Sequence, residues 1–250
     1  MASGKKPRAV PAARARPAGS GGFWRTVRRI LGVLVLVLLI GPPLLVLVYR
    51  FAPPPATILM LERVVQGRGM DYRWRPISRI SPALVQAAVA AEDARFCDHH
   101  GFDIDAMEKA MAHNDRRPNK IRGGSTISQQ TAKNVFLWPR QSWLRKGLEA
   151  YFTKLIEWIW GKERIMEVYI NSIEMGRGIY GAQAAAKHFW GHDASNLSRE
   201  ESALIAAALP NPLQRNCKNP SAYMLERRGQ ILHQMKLLGG KYPPKTATSK

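Results

Sequence analysis

The chain has 250 residues, 46% hydrophobic and 22% charged, the makeup of a packed globular protein, which excludes disorder over most of its length. With 38 Lys and Arg against 18 Asp and Glu, the formal charge is +20, so its natural partners are polyanions: phospholipid headgroups, a phosphorylated substrate or nucleic acid. Two cysteines, Cys97 and Cys217, are too few and too far apart for a zinc finger or a disulfide-dense mini-protein.

The charge is unevenly placed. Nine of the basic residues lie at or before Arg50, and no acidic residue precedes Glu62. Residues 1–29, rich in Ala, Pro, Gly, Arg and Lys, are expected to form a disordered basic cytoplasmic tail. Ile30 to Tyr49 run twenty residues without a charge. That is enough helix to cross about 30 Å of hydrocarbon, and a bilayer helix tolerates the kink expected at Pro42 and Pro43. A cleaved signal peptide has a shorter apolar core and a small-residue cleavage site, whereas Tyr49-Arg50-Phe51-Ala52 followed by three prolines makes a poor one; an uncleaved anchor is expected. The positive charges before this span place the N-terminus in the cytoplasm and residues from about 51 onward outside. The tail is then read as topology and anionic lipid rather than nucleic-acid binding.

Residues 50–75 read as a linker and entry segment, in which only Ala56 to Val65 suggests an extended run. Residues 76–240 read as one mainly helical domain, followed by a tail at 241–250. Ser81-Pro82 opens a helix that runs into Glu92. Leu144, Leu148, Tyr151, Phe152, Leu155 and Ile159 recur at three- and four-residue steps and predict a long helix. Lys162 to Asn171 predicts another, Ser198-x-x-Glu201 is a capping box closed by Pro210, and Ser221 to about Leu238 is stopped by Gly239-Gly240.

Several stretches carry chemistry. A carboxylate at Glu92 faces the negative end of an apolar helix, which raises its pKa toward that of a general base; the bland alternative is a pair with Arg95. His99 and His100, with Asp98 and Asp103, form no second ligand cluster and are expected to be structural, so no metal site is assigned. Residues 123–134, GGSTISQQTAKN, let backbone N–H groups and hydroxyls converge on an anion, or else simply cap a polar helix. Arg145 and Glu149 lie one helical turn apart, as a surface ion pair or as a carboxylate held beside a phosphate-binding guanidinium. Gly176, Gly178 and Gly181 spell a dinucleotide fingerprint, but a helical stretch precedes them and the strand it requires is missing.

Taken together, these stretches resemble the peptidoglycan glycosyltransferases, as in the transglycosylase domain of bifunctional penicillin-binding proteins. The first motif of that family, E-D-x-x-F-x-x-H-x-G, is matched by Glu92, Asp93, Phe96, His99 and Gly101. The second runs from Gly123 through Lys133 and Asn134, and the third is Arg145, Lys146 and Glu149. The fourth is carried by Ile165, Glu167, Tyr169, Asn171, Gly176, Gly178, Tyr180 and Gly181, and the fifth by Leu197 to Pro212. The few residues left after these motifs imply the monofunctional type.

The resemblance implies a mainly α, lysozyme-like glycosyltransferase domain with a small membrane-associated lobe, preceded by one transmembrane helix. Phe136-Leu137-Trp138, with Trp143, fits that lobe, core packing being the alternative. It implies polymerisation of lipid II into β-1,4 glycan in the cell inner membrane, with lipid II, the growing glycan strand and the bilayer as partners, other wall-synthesis or division proteins beside them, and no nucleic acid. Glu92 is then the general base, and Glu149 orients Arg145 or helps position the leaving group. Lys133 and Arg145 neutralise the departing pyrophosphate, Ser125, Thr126, Gln129 and Gln130 hold donor sugar and phosphate, and Asp93 and Lys146 join the binding set. Arg140 stands in for a basic residue that the family usually has where this chain has Gln141. No cofactor is required, and a divalent cation enters only as an activator. Two rivals are kept: a peptidoglycan lyase or hydrolase on a lysozyme-like scaffold, and a catalytically inactive membrane scaffold. Cys97 and Cys217 both fall on the outer side, where a bridge between them and two separate thiols remain equal alternatives.

Overall fold

A computed structural model describes residues 21–118 and 123–239; the tails expected before residue 21 and after residue 240, and Gly240 itself, lie outside the described residues. The chain divides into two units, Met1–Pro42 and Pro43–Lys250. Helix α1 (Gly21–Phe51) makes up the described part of the first and enters the second. Among the described residues it is the one helix long and apolar enough to cross a membrane, by length and composition. It starts well before the apolar run, so residues 21–29 are helical rather than part of a disordered tail. Once the apolar run is helical, each further residue adds a hydrogen bond without the cost of nucleation.

In the second unit the order is α2 (Ile58–Val65), β1 (Asp71–Tyr72), α3 (Pro82–Glu92), α4 (Ile104–Arg116), α5 (Ile127–Phe136), α6 (Trp143–Ile159), α7 (Lys162–Ser172), β2 (Glu174–Gly176), β3 (Ile179–Tyr180), α8 (Gly181–Trp190), α9 (Arg199–Ala208) and α10 (Ala222–Leu238). The mainly α reading holds. The extended run expected over Ala56 to Val65 does not form: Ile58–Val65 is helix, started by the Thr57 hydroxyl accepting the Met60 N–H at 3.2 Å. The capping box of α9 closes as expected, with Glu201 N–H on Ser198 Oγ at 3.1 Å and Ser198 N–H on Glu201 Oε2 at 2.9 Å. Ser81 starts α3 without capping it; its hydroxyl donates to the Leu197 carbonyl at 2.7 Å.

Alanines let α3, α9 and α10 pack closely. Ala87, Ala90, Ala203, Ala206 and Ala207 form a cluster closed by Ile231 and Met235. Helix α5 packs on α6 and α7, with Phe96, Ile127, Ile156 and Tyr169 fully buried among them. The last turns of α1 are held by the body: Trp160 Nε1 donates to the Val46 carbonyl at 2.6 Å, and Arg164 donates to the Tyr49 and Ala52 carbonyls, both at 2.7 Å.

The three short strands, in the order β1-β3-β2, were not expected from sequence, because two or three residues show no period. They explain the glycine fingerprint. A Cβ on Gly178 would lie 2.3 Å from the Arg68 carbonyl oxygen, and one on Gly181 2.3 Å from that of Asn171, so both are places where backbones touch. Asn171 locks the entry segment by accepting the Arg75 N–H at 2.9 Å and donating to the Arg75 carbonyl at 2.8 Å.

Phe136 and Leu137 are buried, and Phe136 stacks on Phe152 with ring centroids 4.6 Å apart. Core packing therefore takes two of the four residues expected in a membrane lobe. Trp143, another of the four, is 94% exposed at the start of α6, and Trp158 of the same helix, not expected there, is 85% exposed. No disulfide joins Cys97 and Cys217. Burial pushes the Cys217 thiol up to about 12, so it is inert as a nucleophile.

Candidate active site

The site lies where the end of α3, the start and middle of α5, and the first turns of α6 meet. Glu92, the last residue of α3, does not pair with Arg95, which binds Asp105 at 2.6 Å. Its Oε2 instead accepts a hydrogen bond from Gln130 Nε2 of α5 at 2.8 Å. Burial pushes the Glu92 carboxyl above the ordinary glutamate range; the Gln130 bond and the charges of Arg227 and Lys133 pull it back, and Asp93 adds to the rise. A carboxylate so poised takes up a proton readily, as a general base must.

The amide of Gln130 has a defined direction. Tyr169, buried on α7, donates its hydroxyl to Gln130 Oε1 at 3.4 Å, so the NH₂ end is the one turned to Glu92. Without the hydroxyl, the amide is free to present its oxygen, which favours the protonated carboxyl. If Glu92 acts as a general base, Tyr169→Phe should therefore move the acidic limb of the pH–kcat/KM profile to higher pH. A limb that stays in place while the rate falls would assign Tyr169 to packing alone.

Asp93 is turned the other way. Its carboxylate binds His99 Nε2 at 3.0 Å and accepts the Ile127 N–H, the first of α5, also at 3.0 Å. His99 Nδ1 accepts the Gly101 N–H at 3.2 Å, which places the ring proton on Nε2, facing Asp93. Thr126 and Gln129 form a capping box at the same helix start, and Thr126 Oγ1 donates to the Gly101 carbonyl at 2.6 Å. Asp93, Thr126 and Gln129, expected on the substrate, are buried and committed to joining the first motif to the second. Their polar atoms serve the start of α5, whose N–H groups must be satisfied. Ser125, by contrast, is exposed just before the cap.

Lys133 bears electrostatically on both Glu92 and Glu149, with Arg145 and Lys146 on the next helix. Arg145 and Glu149 are both buried, and Arg145 Nη1 donates to Glu149 Oε2 at 3.3 Å, which removes the surface-pair alternative. Lys146 donates to the other Glu149 oxygen. Burial pulls the Lys133 ammonium below its ordinary range, opposed by the Glu149 and Glu92 carboxylates and reinforced by Arg145 and Lys146. Arg145 Nε is buried without a hydrogen-bond partner among the described residues, an unspent donor suited to an anion. Arg140 stands exposed between α5 and α6. No group of three or more His, Cys, Asp or Glu able to hold a metal ion occurs among the described residues.

A half-buried carboxylate under the charge of Lys133, with Arg145 and Lys146 gathered at Glu149 beside that lysine, suits transfer of a group from an anionic leaving group. The family model described as transglycosylase matches residues 60–236. The chain belongs to the transglycosylase family. It is 57% identical over 207 residues to a protein of Caulobacter vibrioides named biosynthetic peptidoglycan transglycosylase, covering 83% of this chain and 90% of that protein. A protein of the same name from Bacteroides thetaiotaomicron is 56% identical over 207 residues, covering 80% of this chain and 83% of its own length. One from Pseudomonas putida is 51% identical over 221 residues, covering 86% and 93%.

Within this transglycosylase, the motifs divide their labour. The first three carry Glu92, Lys133, Arg145, Lys146 and Glu149. The fourth is largely scaffold: besides its glycines and Asn171, Glu167 accepts the Ile77 N–H at 3.0 Å and pairs with Arg164 at 2.6 Å. Two participants escape sequence reasoning. Tyr169 belongs to the fourth motif, but its reach to Gln130 is visible only in three dimensions. Arg227, half-buried on α10, bears on Glu92 from a helix whose sequence carries no signal of that role.

Proposed function

We propose that the chain is a peptidoglycan glycosyltransferase that polymerises lipid II into β-1,4 glycan strands during bacterial cell wall synthesis. The observation that carries the reading is Glu92, a half-buried carboxylate held by Gln130, with its pKa raised by desolvation and the Lys133 charge acting on it. Glu92 removes the proton from the 4-hydroxyl of the acceptor sugar as its oxygen bonds to the donor's anomeric carbon. The bond from that carbon to the pyrophosphate oxygen breaks, releasing undecaprenyl pyrophosphate, and attack opposite the leaving group inverts α to β. Lys133 and Arg145 neutralise the charge on the leaving pyrophosphate, with Lys146 beside them. Glu149 holds Arg145 and Lys146 in place. Ser125 and Gln130 border the donor, and Arg140 is a more distant contact for its phosphates. No cofactor is needed, and a divalent cation serves only as an activator on the pyrophosphate.

Helix α1 is the anchor in the inner membrane, with the N-terminus cytoplasmic and the catalytic unit periplasmic, as its flanking charges favour. Trp143 and Trp158 are suited to the headgroup level. The partners are lipid II, the growing strand and the bilayer, together with other proteins of the wall or division machinery.

Incubation of the purified full chain with lipid II, with products resolved by length, tests this reading. Long glycan is expected. Breakdown of preformed glycan would mean a hydrolase instead, and unchanged substrate a scaffold.

A further inference from the structure

Helix α2 is inside out for a helix on a water-facing surface. Met60 is fully buried, and Arg63 turns inward to Glu174, N to O at 3.6 Å. Ile58, Leu61, Val64 and Val65 point outward along one side, with Leu61 56% and Val65 88% exposed. A surface helix ordinarily buries such a stripe and exposes its charges.

The position of α2 in the chain says what covers that stripe. Only residues 52–57 separate it from the end of α1, so it starts within roughly 20 Å of the helix exit even if they are fully extended. They are not loose: Tyr72 donates to the Pro54 carbonyl at 2.7 Å, and the body grips Val46, Tyr49 and Ala52 as described above. The end of α1 and the apolar side of α2 therefore belong to one fixed unit.

We propose that the outward side of α2 lies in the headgroup–acyl boundary of the bilayer, as a second, interfacial contact that sets the tilt of the catalytic unit at the membrane. The inference rests on reading α1 as a membrane anchor. Ile58, Leu61, Val64 and Val65 enter the lipid, while Arg63 and its partner Glu174 stay in the protein. The body is then held by α2 as well as α1 rather than swinging on one helix, which suits a substrate whose lipid tail stays in the membrane.

The test uses the full chain in vesicles of phosphatidylethanolamine and phosphatidylglycerol, carrying a bimane label at Leu61→Cys or Val65→Cys. Val37→Cys in α1 and Gln230→Cys on the exposed side of α10 serve as references, and the unsubstituted protein, labelled in parallel, subtracts any signal from its own cysteines. Lipids bearing a nitroxide near the headgroup end of the acyl chain should quench the Leu61 and Val65 labels several-fold more than the Gln230 label. Equal, weak quenching at Leu61, Val65 and Gln230 with strong quenching at Val37 overturns the proposal and leaves the anchor standing. Absence of quenching at Val37 overturns both. An emission change that follows protein density rather than nitroxide density assigns the face to a second copy of the chain and also overturns the proposal.

Discussion

Glu92→Gln should cut glycan polymerisation by about 10²- to 10⁴-fold, the span expected for loss of a general base. The substitution keeps the shape and can still face Gln130, presenting its oxygen to the Nε2 that now donates to the carboxylate at 2.8 Å. Stability should not fall with activity. Burial raises the Glu92 pKa, so the folded protein binds that proton more tightly than the unfolded chain does. As pH rises through the folded value, the ionised carboxylate costs stability that a neutral amide does not. The variant should therefore unfold at the same temperature as the wild type or higher near neutral pH. In the wild type, the same shift puts the acidic limb of activity above that of an exposed glutamate, with rate rising as pH rises through it. A purified variant that kept more than about a tenth of the wild-type rate would remove Glu92 from the role of base.

Lys133→Ala should weaken binding of a pyrophosphate-bearing donor analogue by about 10- to 100-fold, the worth of a hydrogen bond to a charged group. Its ammonium is drawn below its ordinary pKa mainly by burial, with Arg145 and Lys146 adding repulsion. Such a cation is held at a cost that a bound dianion relieves, so affinity should suffer more than thermal stability. The wild-type affinity should also fall more steeply with salt than that of the variant, because the variant has lost one of the charges that attract the donor. Titration calorimetry at two salt concentrations checks both statements. Unchanged donor affinity would take Lys133 out of the site and leave Arg145, with its unspent Nε, as the principal phosphate contact.

These expectations draw unequally on sequence and structure. The apolar span of α1, the capping box of α9, the helix ending at Glu92 and the spacing of Arg145 and Glu149 were legible in the chain. Each is set by side chains within four residues of one another, whose periodicity and cap chemistry act locally. The family motifs pointed to Glu92, Lys133 and Arg145 for the same reason: they are short and ordered. Helix α2 was misread because it is only eight residues long and six of them are apolar, so the stripe of Ile58, Leu61, Val64 and Val65 does not stand apart from a short apolar strand. Phe136 and Leu137 were placed at the membrane because an aromatic-apolar run reads alike whether it meets lipid or Phe152.

Roles within the site were decided only by tertiary structure. Asp93, Thr126 and Gln129 sit in the same motifs as Glu92 and Gln130, yet the fold commits the first three to the start of α5 and leaves the other two facing each other. That difference comes from which unsatisfied N–H groups and carbonyls each side chain meets, and those are brought by segments far apart in sequence. Burial decided the rest. Local spacing places Glu92, Lys133 and Arg145 on their helices, but only packing of α5, α6, α7 and α10 removes the water that would otherwise screen their charges and hold Glu92 and Lys133 at ordinary pKa values.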